Sequence, residues 1–225
     1  MGRQQAGRVA GRTDGEPGEP GTPEPGTPEP GTPEPGTPEP VQDARLLAAA
    51  ARVLEEAGWQ GLTVEAVAEA AGLSRVTVWR LGASREALVA ALLRDLAVAY
   101  RDAMWPALVG PGDARQRLGR GIDALFGVID AHLPLLLASD QVFHRAKAAS
   151  INFSEPFARL FGDGIVDGSI APPGGDPAEA AELLFNTVCW SYVHLRGRHH
   201  WPVERARQGL LTLIEPGLVP GPPLE

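Results

Sequence analysis

Leu62 to Leu88, LTVEAVAEAAGLSRVTVWRLGASREAL, is the stretch that most narrows the folds open to this chain. Thr63 precedes a short amphipathic run in which Val64, Val67 and Ala68 fall on one helical face. Ala71-Gly72-Leu73 interrupts that run, and Gly72 suits the left-handed backbone of a helix end. Ser74 can cap a second short helix, Arg75 to about Leu81. That helix turns Val78 inward and exposes Arg75, Thr77 and Arg80. Two short helices joined by a tight turn form helix-turn-helix grammar, whose second helix enters the major groove of DNA.

The charge balance first argues against such a partner, because the net charge is −8. The acids are unevenly placed, however. Between Val41 and Leu88 five arginines face six acidic residues, so the segment is near neutral. Arg75, Arg80 and Arg85 lie close together in it, and a local basic face is what phosphate contact requires.

Residues 1–40 differ in kind from the rest. GTPEP occurs four times from Gly21 to Pro40, after GEPGEP at Gly15 to Pro20. With few donors and nothing apolar to bury, this segment is expected to be a disordered, extended acidic tail. Its period is too short for a solenoid. Arg3, Arg8 and Arg12 make its far end basic.

From Val41 onward the pattern is helical throughout. Leu46, Leu47, Ala50, Val53, Leu54 and Ala57 form one stripe, which Gly58 ends. After the helix-turn-helix, Ser84 caps a long helix from Arg85 to about Trp105, ended by Pro106 and the GPG at Gly110 to Gly112. Asp113 caps another, to about His132. Pro134 opens a helix through LPLLLASDQVFHRAKAA, and Glu155-Pro156 opens a stretch through Phe161. Gly162 to Gly175 reads as a loop, with room for one short helix at its start. Asp176-Pro177 caps AEAAELLFNTVCWSYVHL, and Val203 to Leu213 forms the last helix. The expected fold is all-α, with about nine helices and no convincing strand. It divides into the tail (1–40), a three-helix DNA-binding domain (41–88), a helical bundle (89–216) and a flexible end (217–225).

The segment from Arg45 to about Leu93 resembles the N-terminal domain of the TetR family of transcriptional regulators. A first helix ending in AxxVLEEAGWQGLTV, the turn AAGLS and the segment VTVWRLGASREALV match it in order. The third matches the family's aromatic-x-x-x-(G/A)-S-(K/R)-E-x-L signature. The resemblance implies that Arg75 contacts base edges and Thr77 a phosphate or thymine methyl. Trp79 stands where tyrosine usually touches the backbone, and Arg85 where lysine usually does. Thr63, Ser74, Val76 and Arg80 complete the expected DNA-contacting set. Gly82 departs from the pattern, standing where a packing phenylalanine is usual. Its loss should either loosen the domain or call for Trp79 or Leu81 to fill the gap. The resemblance also implies a repressor released by a small-molecule effector.

The bundle carries a loose aromatic set, Trp105, Phe126, Phe143, Phe153, Phe157, Phe161, Phe185, Trp190 and Tyr192, with polar groups between. Phe143, His144, Trp190 and His194 are the expected effector-pocket residues. The helix holding Leu183, Leu184, Phe185, Val188, Cys189, Trp190, Tyr192 and Val193 is apolar nearly all round. It is therefore expected to be buried on all sides, against its own core and a second subunit. A homodimer through the last two helices would read a palindromic operator. Asp140 and His144 are one turn apart, but no nucleophile stands at readable spacing, so no catalytic residue and no enzyme activity is expected. His194, His199 and His200 lack a completing carboxylate or thiolate, so no metal and no cofactor is expected. A single cysteine and the lack of a long apolar run place the chain in the cytoplasm, away from membranes. The alternative reading is a helical small-molecule-binding or enzymatic protein that kept a degenerate helix-turn-helix, and Gly82 favours it.

Overall fold

A computed structural model describes residues 41, 43–138, 152–172 and 174–218. The described residues form nine helices and no strand. We number them α1 (Ala44–Gly61), α2 (Val64–Ala71), α3 (Arg75–Arg80), α4 (Arg85–Val109), α5 (Ala114–Ala131), α6 (Leu133–Leu137), α7 (Glu155–Asp167), α8 (Pro177–Gly197) and α9 (Val203–Leu218).

Side-chain caps set most of the starts. Asp43, Thr63, Ser74, Ser84, Asp113 and Asp176 each accept a backbone N–H two or three residues on. Each satisfies a donor that the first helical turn leaves unpaired. Gly72, with φ 64°, ends α2 in the left-handed conformation. Gly58 breaks α1 as its sequence suggests, at φ 63° and ψ −168°, and one more turn follows to Gly61.

Three boundaries differ from the sequence reading. Pro106 does not end α4, which continues to Val109, with the Gly110 N–H donating to the Pro106 carbonyl. Pro216 likewise lies inside α9. Gly162 does not open a loop, because α7 runs on to Asp167. The reason lies at Gly164. Ile170 folds back over it, and a β-carbon at Gly164 would stand 2.6 Å from that of Ile170. Glycine here serves close packing, a need that local propensity does not record. The helix expected to run on from Pro134 is described only over Leu133–Leu137.

The helices pack as two layers of one core. α1, α2 and α3 surround Leu46, Leu54, Leu62, Val67 and Val78, all almost wholly buried. α4, α5, α7 and α8 enclose Phe126, Phe157, Leu160, Phe161 and Tyr192, also almost wholly buried. α4 belongs to both layers, since it buries Leu88, Val89, Leu92 and Leu93 near its start and Tyr100 and Met104 further on. The short α6 packs against α1 on one side and α8 on the other. Those two helices are the physical links between the layers.

Candidate DNA interface and the bundle behind it

The helix-turn-helix is assembled by side chains that the sequence does not advertise as structural. Arg45 donates to the Ala71 carbonyl at 2.8 Å, and Arg52 donates to the Ala70 carbonyl at 2.8 Å. Both arginines stand on α1 and satisfy carbonyls that the end of α2 leaves open. Arg85 does the same for α1. Its guanidinium donates to the Trp59 carbonyl and lies 4.0 Å from the centre of the Trp59 ring. Three of the five arginines of this domain are thus turned onto its own backbone. Arg45 and Arg52 stay exposed while making these bonds, and Arg75 and Arg80 are exposed too.

Arg85 is one of the expected DNA-contacting residues. The expected phosphate clamp is directed inward, fastening the start of α4 to the end of α1. Thr77 is also partly committed, because its hydroxyl pairs with that of Ser74 at 2.9 Å. Ser74 in turn accepts the Thr77 N–H at 3.1 Å, and Thr63 accepts the Ala66 N–H at 3.1 Å. Ser74 and Thr63 are therefore helix caps first.

What α3 presents follows from one residue. Val78 is fully buried. At about 100° per residue, the positions opposite Val78 are Val76 and Arg80, with Trp79 and Arg75 on one flank and Thr77 on the other. Val76 is 59% exposed and Trp79 79% exposed. Arg75, Thr77 and Arg80, also in the expected set, are exposed as well.

Gly82 has a backbone role. Its φ is 67°, and the Ala83 N–H reaches the Val78 carbonyl while the Gly82 N–H reaches that of Trp79. That pairing closes a helix with a left-handed residue, a conformation for which glycine is best suited. A β-carbon there would meet nothing within 4 Å. Neither Trp79 nor Leu81 folds in to replace the missing ring, since Leu81 too is 38% exposed. The expected filling of the gap does not occur, yet Leu62, Val67 and Val78 stay sealed.

Two clusters organise the bundle. In the first, Tyr100 on α4 donates its hydroxyl to the Phe153 carbonyl at 2.5 Å and meets the Phe153 ring edge-on at 5.1 Å. Phe185 stacks on Phe153 at 6.0 Å. Burial, with a smaller contribution from nearby Cys189, pushes the Tyr100 hydroxyl far above its usual range. Burial likewise pushes the Cys189 thiol up to about 12, so it is held protonated and is no nucleophile near neutral pH. In the second, Asp130 on α5 accepts from Tyr192 at 2.8 Å and from Arg196 at 2.8 Å, with Arg207 at 3.4 Å. Arg196 also donates to the Trp201 carbonyl at 2.6 Å. One carboxylate thereby joins α5, α8 and α9. Its partners lie more than sixty residues away, and no local pattern marks them.

Of the four expected effector-pocket residues, only Trp190 and His194 lie among the described residues. Phe143 and His144 lie outside them, as does Asp140, with the rest of residues 139–151. Trp190 is half-buried and His194 exposed, on a face of α8 that also exposes Leu183 and Thr187. α8 is therefore not enclosed on all sides within one chain. His199 and His200 are exposed beyond the end of α8.

An all-helical body with a capped helix-turn-helix in front of a helical bundle is the architecture of the TetR-type regulators. Residues 46–92 match the model of the bacterial regulatory proteins of the tetR family, so the chain carries that family's N-terminal domain. Solved structures of similar fold cover about four-fifths of this chain. A TetR-family member from Streptomyces coelicolor is 18% identical, with 79% of this chain and 92% of that one covered, at a TM-score of 0.55. The ketosteroid transcriptional regulator KstR2 of Mycobacterium tuberculosis is 23% identical, covering 80% and 97%, at a TM-score of 0.58. A Saccharomonospora viridis protein solved in complex with choline is 20% identical, covering 79% and 97%, at a TM-score of 0.57. No curated protein sequence matches the chain significantly. Among the described residues no helix is long and apolar enough to cross a membrane.

Proposed function

We propose that this chain is a sequence-specific DNA-binding transcriptional regulator, a homodimeric repressor released when a small molecule binds its bundle. The observation that carries the reading is the geometry of α3. A helix fixed by a fully buried Val78 holds an exposed Val76, Trp79 and Arg80 away from the core. Large apolar side chains on a rigid outward face point to contact with a partner. In a major groove, Val76 suits a thymine methyl, and Arg80 a guanine edge or phosphate. The Trp79 indole N–H is a donor placed for a backbone phosphate.

The dimer reading rests on what α8 and α9 leave uncovered. Leu183 and Leu213 are 56% and 71% exposed, and Thr187, Trp190 and His194 continue the α8 stripe at helical spacing. A two-fold pair would place two α3 helices one turn of DNA apart, about 34–36 Å. The effector reading rests on the Tyr100, Phe153 and Phe185 cluster, an aromatic wall between α4 and α8 with a single polar hydroxyl. Apolar walls with few polar groups suit such ligands. α4 and α6 connect that region to the DNA-reading layer. An effector need only bind more tightly to the spacing of the two heads that does not fit DNA.

Gel-shift titration of the selected binding sequence tests this. Val76→Ala should lose about 1 kcal/mol of discrimination at one base step, and Arg80→Ala about 1–3 kcal/mol. Both should leave affinity for random DNA less affected. Equal binding of selected and random DNA by the folded chain would overturn the proposal.

A further inference from the structure

Among the described residues, one buried side-chain polar atom has no hydrogen-bond partner, the Nε of Arg85. The rest of that guanidinium is well held. It lies 4.0 Å from the centre of the Trp59 ring and donates to the Trp59 carbonyl. An arginine directed at solvent would keep its Nε–H hydrated, so ring and carbonyl hold the group in against an opposing term. Arginine suits this seat better than lysine. Its flat cation lies on a ring face while its edge donates to an oxygen, and a lysine ammonium has no such face.

This contact closes a ring of chain around α3. Trp59 stands just after the break in α1 at Gly58, and Arg85 is the first residue of α4, capped by Ser84. The two are 26 residues apart, and α2, α3 and their turns lie between them. α3 packs on α2, which in turn packs on α1. Its other end is joined to α4 through Leu81 to Ser84. That link is bonded back onto α3, since the Gly82 and Ala83 N–H groups donate to the Trp79 and Val78 carbonyls. A shift of the start of α4 is therefore passed directly to α3. The contact between Arg85 and Trp59 fixes that start against the end of α1.

Resting on the DNA-binding reading above, we propose that Arg85 and Trp59 are a positioning pair that sets the angle at which α3 meets the bases, and that Arg85 contacts no phosphate. Base edges are read only by side chains within hydrogen-bond or van der Waals reach. Affinity for random duplex comes from neutralised phosphates, which long flexible cations reach over a range of angles. A tilt of α3 therefore lowers discrimination before it lowers general affinity. The pair carries no sequence information of its own and acts through Val76 and Arg80, which α3 presents.

The test compares R85Q, R85K, W59L and the W59L/R85Q double variant with the parent, each as the full chain and each checked for folding by circular dichroism and thermal unfolding. Fluorescence anisotropy then measures affinity for the selected duplex and for a random duplex of equal length, between about 50 mM and 200 mM salt. The ratio of the two affinities decides, because a partly unfolded sample weakens both alike and leaves the ratio unmoved. The ratio is expected to fall about tenfold in R85Q and in W59L, and no further in the double variant, since the two side chains act as one unit. R85K, which keeps the charge, should not restore it. The salt slope of R85Q on random duplex should match that of the parent. A slope shallower by about 0.9, the mark of one lost phosphate contact, overturns the proposal. So does an unchanged ratio, a double variant that adds the two losses, or a parental ratio in R85K. Should R85Q or W59L fail to fold, R85K decides alone, because the proposal requires its ratio to fall. A folded parent that prefers no selected duplex over random DNA fails the DNA-binding reading itself, and the role of the pair with it.

Discussion

Asp130 is the residue whose replacement should do most damage for the least change in volume. Its carboxylate holds Tyr192 and Arg196 at 2.8 Å each, with Arg207 at 3.4 Å. The pair with Arg196 is about four-fifths buried, with both side chains 22% exposed. It therefore falls between a surface ion pair, worth about 0–1 kcal/mol, and a buried one, whose breaking costs about 3–5 kcal/mol. Asp130→Ala leaves the hydroxyl of a fully buried Tyr192 short of its best acceptor, at about 1–3 kcal/mol. Arg196 keeps the Trp201 carbonyl, which limits the rest. The total should be about 2–4 kcal/mol, and for a chain of this size a drop in Tm of roughly 4–16 °C. Asp130→Asn keeps the shape and one acceptor and should lose about half as much. Urea unfolding of D130A, R196Q and the double variant measures the coupling, expected at about 1–2 kcal/mol. A double variant whose loss equals the sum of the singles would refute the account of Asp130 as the shared anchor of α8 and α9.

Other outcomes follow from the same geometry. Gly164→Ala should lose about 1–3 kcal/mol in urea unfolding through the clash with Ile170, whereas Gly82→Ala should lose only about 1 kcal/mol, from backbone conformation alone. Cys189 should resist iodoacetamide at pH 8 in the folded chain and react readily in urea, as judged by mass spectrometry. Asp167 is held below the usual aspartate range by the Ser169 hydroxyl first, then by the Ala114 and Ser169 backbone N–H groups. A lowered folded-state pKa gives stability that is present above about pH 3.9 and lost as pH falls further. Asp167→Asn should therefore flatten the acid limb of a stability–pH curve.

The helix starts were legible in the sequence because caps act locally. Thr63, Ser74, Ser84, Asp113 and Asp176 announce themselves within three residues of the N–H groups they satisfy. Helix ends were less legible. Gly162 and Pro106 look like breakers, but Gly164 is required by Ile170 and Pro106 is carried within α4, and both facts are tertiary. The arginines show the same limit at the candidate interface. Arg75, Arg80 and Arg85 cluster in sequence, yet the Trp59 carbonyl and ring claim Arg85 from twenty-six residues away. Thr77 looked exposed and is exposed, but its hydroxyl pairs with Ser74. Gly82 looked like a packing loss because its side chain was weighed alone, while its backbone supplies a left-handed helix end. The Asp130 cluster was illegible, because nothing near Asp130 indicates Arg196 or Arg207.

The central claim is that α3 reads DNA sequence as one half of a symmetric pair. Repeated selection of bound duplexes from a random pool by the purified full chain, followed by sequencing, tests it most directly. The account predicts an enriched palindrome whose half-sites lie about one helical turn apart, lost when Val76 and Arg80 are both replaced by alanine. A folded chain that enriches no sequence, or a motif untouched by that double replacement, would contradict it.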